Sequence, residues 1–172
     1  MSPRPRRRWP SLAGATLFGT RVALRPLSES DLRMVAAWYE GATEHRRSLK
    51  GAQGDDSDLG LLAITFREED GAIGVMEYRV GLPEDGWLAF RFVAVEPRLR
   101  GLGLDSEAVR LMEDDALKRG LARRFWAGVQ QGDGLVFYFW LRLGYRPARP
   151  DEDPWPGERR HDTIVMIRVP AV

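Results

Sequence analysis

Residues 97–108 read PRLRGLGLDSEA, with Gly101 and Gly103 two apart between the arginines Arg98 and Arg100 and a helix-forming segment. A strand that stops at a proline and turns through two glycines into a helix leaves several N–H groups without intrahelical partners. Those amides and the helix dipole together form an anion site. Glycine suits the turn because an anion must approach the backbone itself, and a Cβ would hold it off. Asp105 complicates the pattern. In the first turn of a helix a carboxylate is stabilising, yet the same amides that favour it are those an incoming phosphate would use. The plainer alternative is an ordinary strand-to-helix turn. Two nucleotide motifs are excluded: no Gly-Lys-Ser/Thr follows, as a Walker loop requires, and there is neither a third glycine nor an early parallel βαβ unit, as a Rossmann fingerprint requires.

The elements that must hold this loop can be read from period and punctuation. TRVALRPLSESDL predicts a strand through Val22 and Leu24, broken at Pro26, then a helix opened by Ser28 with Asp31 three residues on. Leu32, Val35, Ala36 and Tyr39 form its apolar stripe. Residues 42–50 predict a second, short basic helix and residues 51–58 a loop. LGLLAITFREEDGAIGVMEYRV predicts two strands joined at Asp70-Gly71, and WLAFRFVAV a third strand that ends at Pro97. Leu104, Ala108, Leu111, Met112 and Leu117 line one face of the next helix, with Glu113, Asp114, Lys118 and Arg119 largely off it, until Gly120. RRFWAGVQ is a further strand. GLVFYFWLRL is apolar all round, which predicts a buried helix, with Asp133 at its N-cap and Gly144 at its end. YRPARP and HDTIVMIRV close the sheet. The pattern predicts helices packed on a mixed sheet.

The chain has 172 residues, 44% of them apolar and 30% charged, which is a globular composition suited to a single domain. Residues 1–13 are expected to form a basic tail and residues 14–172 the domain. No cysteine is present, so disulfides, zinc-cysteine clusters and thiol nucleophiles are excluded, and no metal site is expected. The net charge is +1, but Arg4, Arg6, Arg7 and Arg8 lie in the tail, so the body is net acidic and is not expected to bind nucleic acid. No apolar run spans a bilayer or resembles a signal peptide, and a cytoplasmic protein without a membrane partner is the expectation.

Taken in order, these segments resemble the GNAT acyltransferase superfamily, most closely its ribosomal-protein N-acetyltransferase-like (RimJ/RimL-type) branch. TRVALRPLSESDL with Trp38 is similar to that branch's opening strand and helix, and VEPRLRGLGLDSEAVRLM to its acyl-CoA loop and helix. FYFWLRLGYRP resembles the helix and Leu-Gly-Phe turn, and HDTIVMIRV the closing strand; the match covers residues 20–169. The resemblance implies an α+β (mixed α/β) GNAT fold: a central, mostly antiparallel, splayed sheet of six to seven strands flanked by about four helices. It also implies acetyl-CoA or another acyl-CoA as co-substrate, an amine acceptor, and a homodimer by analogy.

On that resemblance the pantetheine arm runs beside Val93, Ala94 and Val95, and an N–H near Val93 or Ala94 polarises the thioester carbonyl. Arg98 flanks the pyrophosphate site, which is formed by the amides of Arg100, Gly101, Leu102, Gly103, Leu104, Asp105 and Ser106. The loop departs from the family's pattern at Asp105, where a small residue is usual. Two further departures follow from the Leu-Gly-Tyr turn. Asp133 stands where an Asn usually contacts pantetheine, and Trp140 where a Tyr usually protonates the departing thiolate. An indole N–H donates a hydrogen bond but not a proton, and Tyr138 points about 200° around the helix from Trp140. A protonated amine also needs a base. Glu77 is the first candidate, with a surface cross-strand pair on Arg79's face as its alternative. Glu44 and His45 lie in the region that lines the acceptor side of this fold. His161 reads as structural, and the acidic loop DEDPWPGERR either borders the acceptor site or is plain surface.

Overall fold

The computed structural model describes residues 16–38, 59–153 and 162–171. The tail 1–13, the helix expected at 42–50 with Glu44 and His45, the loop 51–58, residues 154–160 of the acidic loop and His161 all lie outside the described residues. In chain order the elements are β1 (Leu17–Phe18), β2 (Val22–Pro26), α1 (Glu29–Trp38), β3 (Leu59–Phe66), β4 (Ala72–Val80) and β5 (Gly86–Val95). A 3-10 turn (Pro97–Leu99) follows, then α2 (Leu104–Lys118), β6 (Ala122–Gln130), α3 (Gly134–Arg142), β7 (Arg146–Pro147) and β8 (Thr163–Arg168).

The strands form one sheet of eight in the order β1-β2-β3-β4-β5-β6-β8-β7. Neighbours are antiparallel except β5 and β6, which run parallel, as they must when α2 carries the chain back across the sheet between them. The expectation of six to seven strands falls one short of eight because β1, of two residues, is too short to show alternation; β7, equally short, lies within the YRPARP segment. Three α-helices flank the sheet among the described residues, against about four expected, and the remaining expectation falls on residues 42–50.

Alternate residues of the strands, Val22, Leu24, Leu62, Ile64, Met76, Tyr78, Leu88 and Phe90, supply the core against Ala108, Val109, Met112 and Ala116 of α2. Two readings need correction. Glu113, placed off the buried stripe from its charge, is fully buried. Helix α3 is not buried all round. Trp140 faces inward, while Leu135, Tyr138 and Leu141 are exposed on a face that no described element covers. Apolar content fixes what a helix can bury, not whether a neighbour exists to cover each side.

The start of α1 is a reciprocal cap. Ser28 N–H donates to Asp31 Oδ2 at 2.7 Å and Asp31 N–H donates to Ser28 Oγ at 3.2 Å, while Arg25 grips the carboxylate through Nη1 at 2.7 Å and Nη2 at 3.0 Å. Burial alone would raise the Asp31 pKa, but the hydrogen bonds from Arg25 and Ser28 outweigh it and bring the value down to about 2. A folded pKa below the unfolded one gives stability that is present above about pH 4 and is lost as pH falls through 2. The shift is worth about 2 kcal/mol. Denaturant titrations at pH 5 and pH 2 should therefore show the stability gap between the wild type and Asp31→Asn closing at the lower pH.

Candidate active site

The opening in the sheet is made by one extra residue in β5. Strand β5 pairs with β4 along its length but with β6 only up to the Phe90–Ala127 pair. Directly beyond, the register to β4 slips: Glu77 faces Phe92 and Tyr78 faces Phe90, so Arg91 is inserted as a bulge. Two hydrogen bonds fix what the slip does to the backbone. On the near side Gly81 N–H donates to Trp87 C=O at 2.8 Å, and on the far side Glu96 N–H donates to Ile73 C=O at 2.7 Å. By the alternation of an antiparallel ladder, odd residues turn toward β4 before the bulge and even residues after it. The Ala94 amide is thus directed to β4, and that of Val93 toward the side where β6 has parted. The side chains switch faces too, so Val93 and Val95 pack on the core beside α2, while Phe92 shares the opposite face with Glu77.

The glycine loop begins as β5 ends. Gly101 (φ 79°) and Gly103 (φ 75°) both adopt the left-handed conformation that a Cβ disfavours, and the space a Cβ would fill at Gly101 is open. Gly103 is the N-cap of α2 and supplies no side-chain cap. The N–H groups of residues 101–105 have no partner among the described residues. Arg98 is drawn aside, donating to Glu96 Oε1 through Nε at 2.8 Å and Nη2 at 2.6 Å. Asp105 turns onto its own helix: its Oδ1 accepts the Ser106 N–H at 2.8 Å. One of the seven amides assigned to an anion is therefore engaged by a protein carboxylate.

Two residues that sequence reasoning passed over hold the loop from behind. Arg21 donates from Nη1 to Leu102 C=O at 2.9 Å and from Nη2 to Gly103 C=O at 3.3 Å, and its Nε meets Glu107 Oε2 at 2.8 Å. Glu107 Oε1 in turn accepts the amides of Arg21 at 2.6 Å and Val22 at 3.2 Å. Burial would raise the Glu107 pKa, yet the amide and guanidinium donors hold it below the usual carboxylate value. Only the positive charge of Arg21 and the acidity of Glu107 were visible in sequence; nothing local connects residues 86 positions apart.

The remaining candidates are dispersed around the opening. Glu77 lies one strand in from it, opposite the bulge, and is only 3% exposed, with Arg91 Nε at 3.5 Å from Oε1. The carboxylate is thus buried rather than on the surface, and Arg91 on the neighbouring strand is one cation that meets it. Trp140 is 5% exposed, its ring centroid 5.7 Å from Phe90 and 4.7 Å from Tyr145. Phe90 is the last residue of β5 paired to β6, so the indole sits at the floor of the opening. Tyr138 is exposed on the other side of α3, beneath Arg142. Asp133 caps α3, accepting the Val136 N–H at 3.1 Å.

A sheet opened by a bulge beside a glycine loop that starts a helix is the arrangement the sequence resemblance leads one to expect. Residues 24–145 match the model of the acetyltransferase (GNAT) family. The chain belongs to the GNAT acetyltransferase family. Among solved structures, this GNAT chain is similar to a probable acetyltransferase of the same family from Chromobacterium violaceum ATCC 12472, at 22% identity and a TM-score of 0.70, over 98% of this chain and 94% of that one. It is also similar to the Salmonella typhimurium acetyltransferase that modifies the N-terminal serine of ribosomal protein L7/L12, at 13% identity and a TM-score of 0.66, over 91% and 100% of the two chains. A third likeness is to Arabidopsis thaliana NAA60, held with a bisubstrate analogue, at 12% identity and a TM-score of 0.64, over 86% and 97%. At such identities these structures share the fold of the GNAT chain. No curated protein matches it in sequence. No helix among its described residues is long and apolar enough to cross a membrane.

Proposed function

We propose that this GNAT domain is a cytoplasmic N-acyltransferase that passes an acyl group, acetyl first among donors, directly from acyl-CoA to a primary amine of a small molecule or a peptide N-terminus. The observation that carries the reading is the bulge at Arg91, which directs the Val93 amide into the gap between β5 and β6. The residues fit an acyl-CoA in two places. Along residues 93–94, beyond the last β5–β6 pair at Phe90–Ala127, the strand edge suits the amide-rich pantetheine arm, and the amides of residues 101–105, which have no partner among the described residues, suit the pyrophosphate. The Val93 N–H then polarises the thioester carbonyl, and Glu77 takes the acceptor's proton. Asp133 keeps an acceptor near the arm while capping α3.

Among the described residues no general acid is found at the floor of the gap, since Trp140 gives only an indole N–H and Tyr138 faces away. A thiol pKa near ~8.5 makes thiolate a tolerable leaving group, and a missing acid costs at most about 10²–10⁴ in rate. Transfer is slowed rather than prevented. The second reading, a CoA-binding module that has lost catalysis, is favoured by this lack and by Asp105 on the Ser106 amide.

Thiol release from acetyl-CoA and longer acyl-CoAs with a panel of amines, beside calorimetric titration of CoA, decides between the two. Turnover supports the enzyme, binding without turnover the module, and absence of binding defeats both. Asp105→Gly frees the Ser106 amide and removes a carboxylate from the anion site, so CoA is expected to bind about tenfold or more tightly, the equivalent of ~1.4 kcal/mol. An unchanged dissociation constant would mean that Asp105 and the pyrophosphate never compete.

A further inference from the structure

We infer that Arg21 is a positioning residue for the acyl donor: its guanidinium, by binding the Leu102 and Gly103 carbonyls, aims the next two amides of the glycine loop at the donor's pyrophosphate. The inference rests on the acyl-CoA reading above and adds to it a residue that lies outside the loop. A glycine turn with two left-handed residues has no intrinsic reason to present its amides on one side. In a trans peptide the carbonyl and the following N–H point in opposite directions. The Leu102 carbonyl held by Nη1 at 2.9 Å therefore turns the Gly103 N–H away from Arg21; the Gly103 carbonyl, which accepts the Glu107 N–H of α2 at 3.1 Å and Nη2 at 3.3 Å, is fixed by helix and guanidinium together and does the same for the Leu104 N–H. Both amides are among those without a partner in the described residues.

The guanidinium is itself fixed in rotation. Glu107 Oε2 takes its Nε at 2.8 Å, while Oε1 takes the Arg21 and Val22 amides, so one carboxylate of α2 clamps both the side chain and the backbone of β2's approach. Three groups, the Leu102 and Gly103 carbonyls and the Glu107 carboxylate, are thereby read by one planar fork, which a lysine ammonium cannot reproduce. The positive charge stands behind the loop, on the carbonyl side, where it attracts an anion without occupying the amides. Arg98, bound to Glu96, and the loop glycines alone do not provide this.

The test compares ligands that differ in the pyrophosphate. Calorimetric titrations of CoA and of pantetheine, which lacks the pyrophosphate and the nucleotide, are made on the wild type, Arg21→Lys and Glu107→Gln. The wild type is expected to bind CoA more tightly than pantetheine. Arg21→Lys should weaken CoA by about tenfold or more and leave pantetheine unchanged, so that the preference collapses; Glu107→Gln should follow in the same direction with a smaller loss. A fall shared equally by both ligands would reduce Arg21 to a structural role and overturn the inference, as would an unaltered preference in Arg21→Lys. The binding readout does not depend on catalysis. A wild type that binds CoA in this manner but releases no thiol defeats the transferase reading and leaves the role of Arg21 standing.

Discussion

Glu113→Ala is expected to destabilise the protein by about 3 kcal/mol, at the lower end of the range for breaking a buried ion pair. The carboxylate is wholly buried in α2 and accepts three hydrogen bonds: from the Tyr145 hydroxyl at 2.6 Å, from Arg168 Nη1 at 2.8 Å and from Arg110 Nη1 at 3.0 Å. Arg110 also donates through Nη2 to the Leu143 carbonyl at the end of α3. The carboxylate thus joins α2, the turn after α3 and β8. Burial, then the charge of Glu113 and the hydrogen bond to it, pushes the Tyr145 pKa well above its usual value, so the hydroxyl keeps its proton and donates it. Alanine would leave that hydroxyl without its acceptor and two guanidinium groups facing each other. The lower end of the range applies because both arginine side chains reach solvent, at 38% and 24% exposure, and can turn outward. Denaturant melts check the value. Glu113→Gln, which keeps an acceptor, should lose less, and a loss in Glu113→Ala below about 1 kcal/mol would mean that the arginines repel as much as they bind.

What could be read in the sequence was local. Ser28 and Asp31 lie three residues apart and form the cap their spacing predicts; Gly120 takes the left-handed conformation of a helix-ending glycine. Asp133 caps α3 as its position implied. The bulge was not visible because β5 is apolar on both faces around it: Leu88 and Phe90 precede the slip, Val93 and Val95 follow it, and Arg91 at the slip reads equally well as an outward-facing position of an unbroken strand. The Arg21–Glu107 clamp and the Glu113 cluster join residues far apart in the chain. In α2, charge argued that Glu113 faces water, and only the convergence of Arg110, Tyr145 and Arg168 makes its burial tolerable. In α3 the error ran the other way, since an apolar helix was given a cover on every side.

Glu77→Gln is expected to lower the turnover number by about 10²–10⁴ with a protonated primary amine as acceptor, while the KM for acyl-CoA stays unchanged. The carboxylate lies on the sheet face opposite α2, across from Phe92 at the bulge, so it approaches the opening from the side away from the loop that receives the pyrophosphate. Glutamine preserves volume and an oxygen acceptor for Arg91, whose side chain is 46% exposed and can turn to water once the facing charge is gone, so the variant should remain folded, which a denaturant melt checks. A base is needed only where the acceptor arrives with a proton to lose before attack. An amine of low basicity, such as a carboxylic hydrazide, is already neutral at pH 7, and with it the deficit of Glu77→Gln should shrink at least tenfold. Equal deficits with both acceptors would make Glu77 a determinant of the sheet's opening rather than the base. No deficit with either would remove it from the reaction.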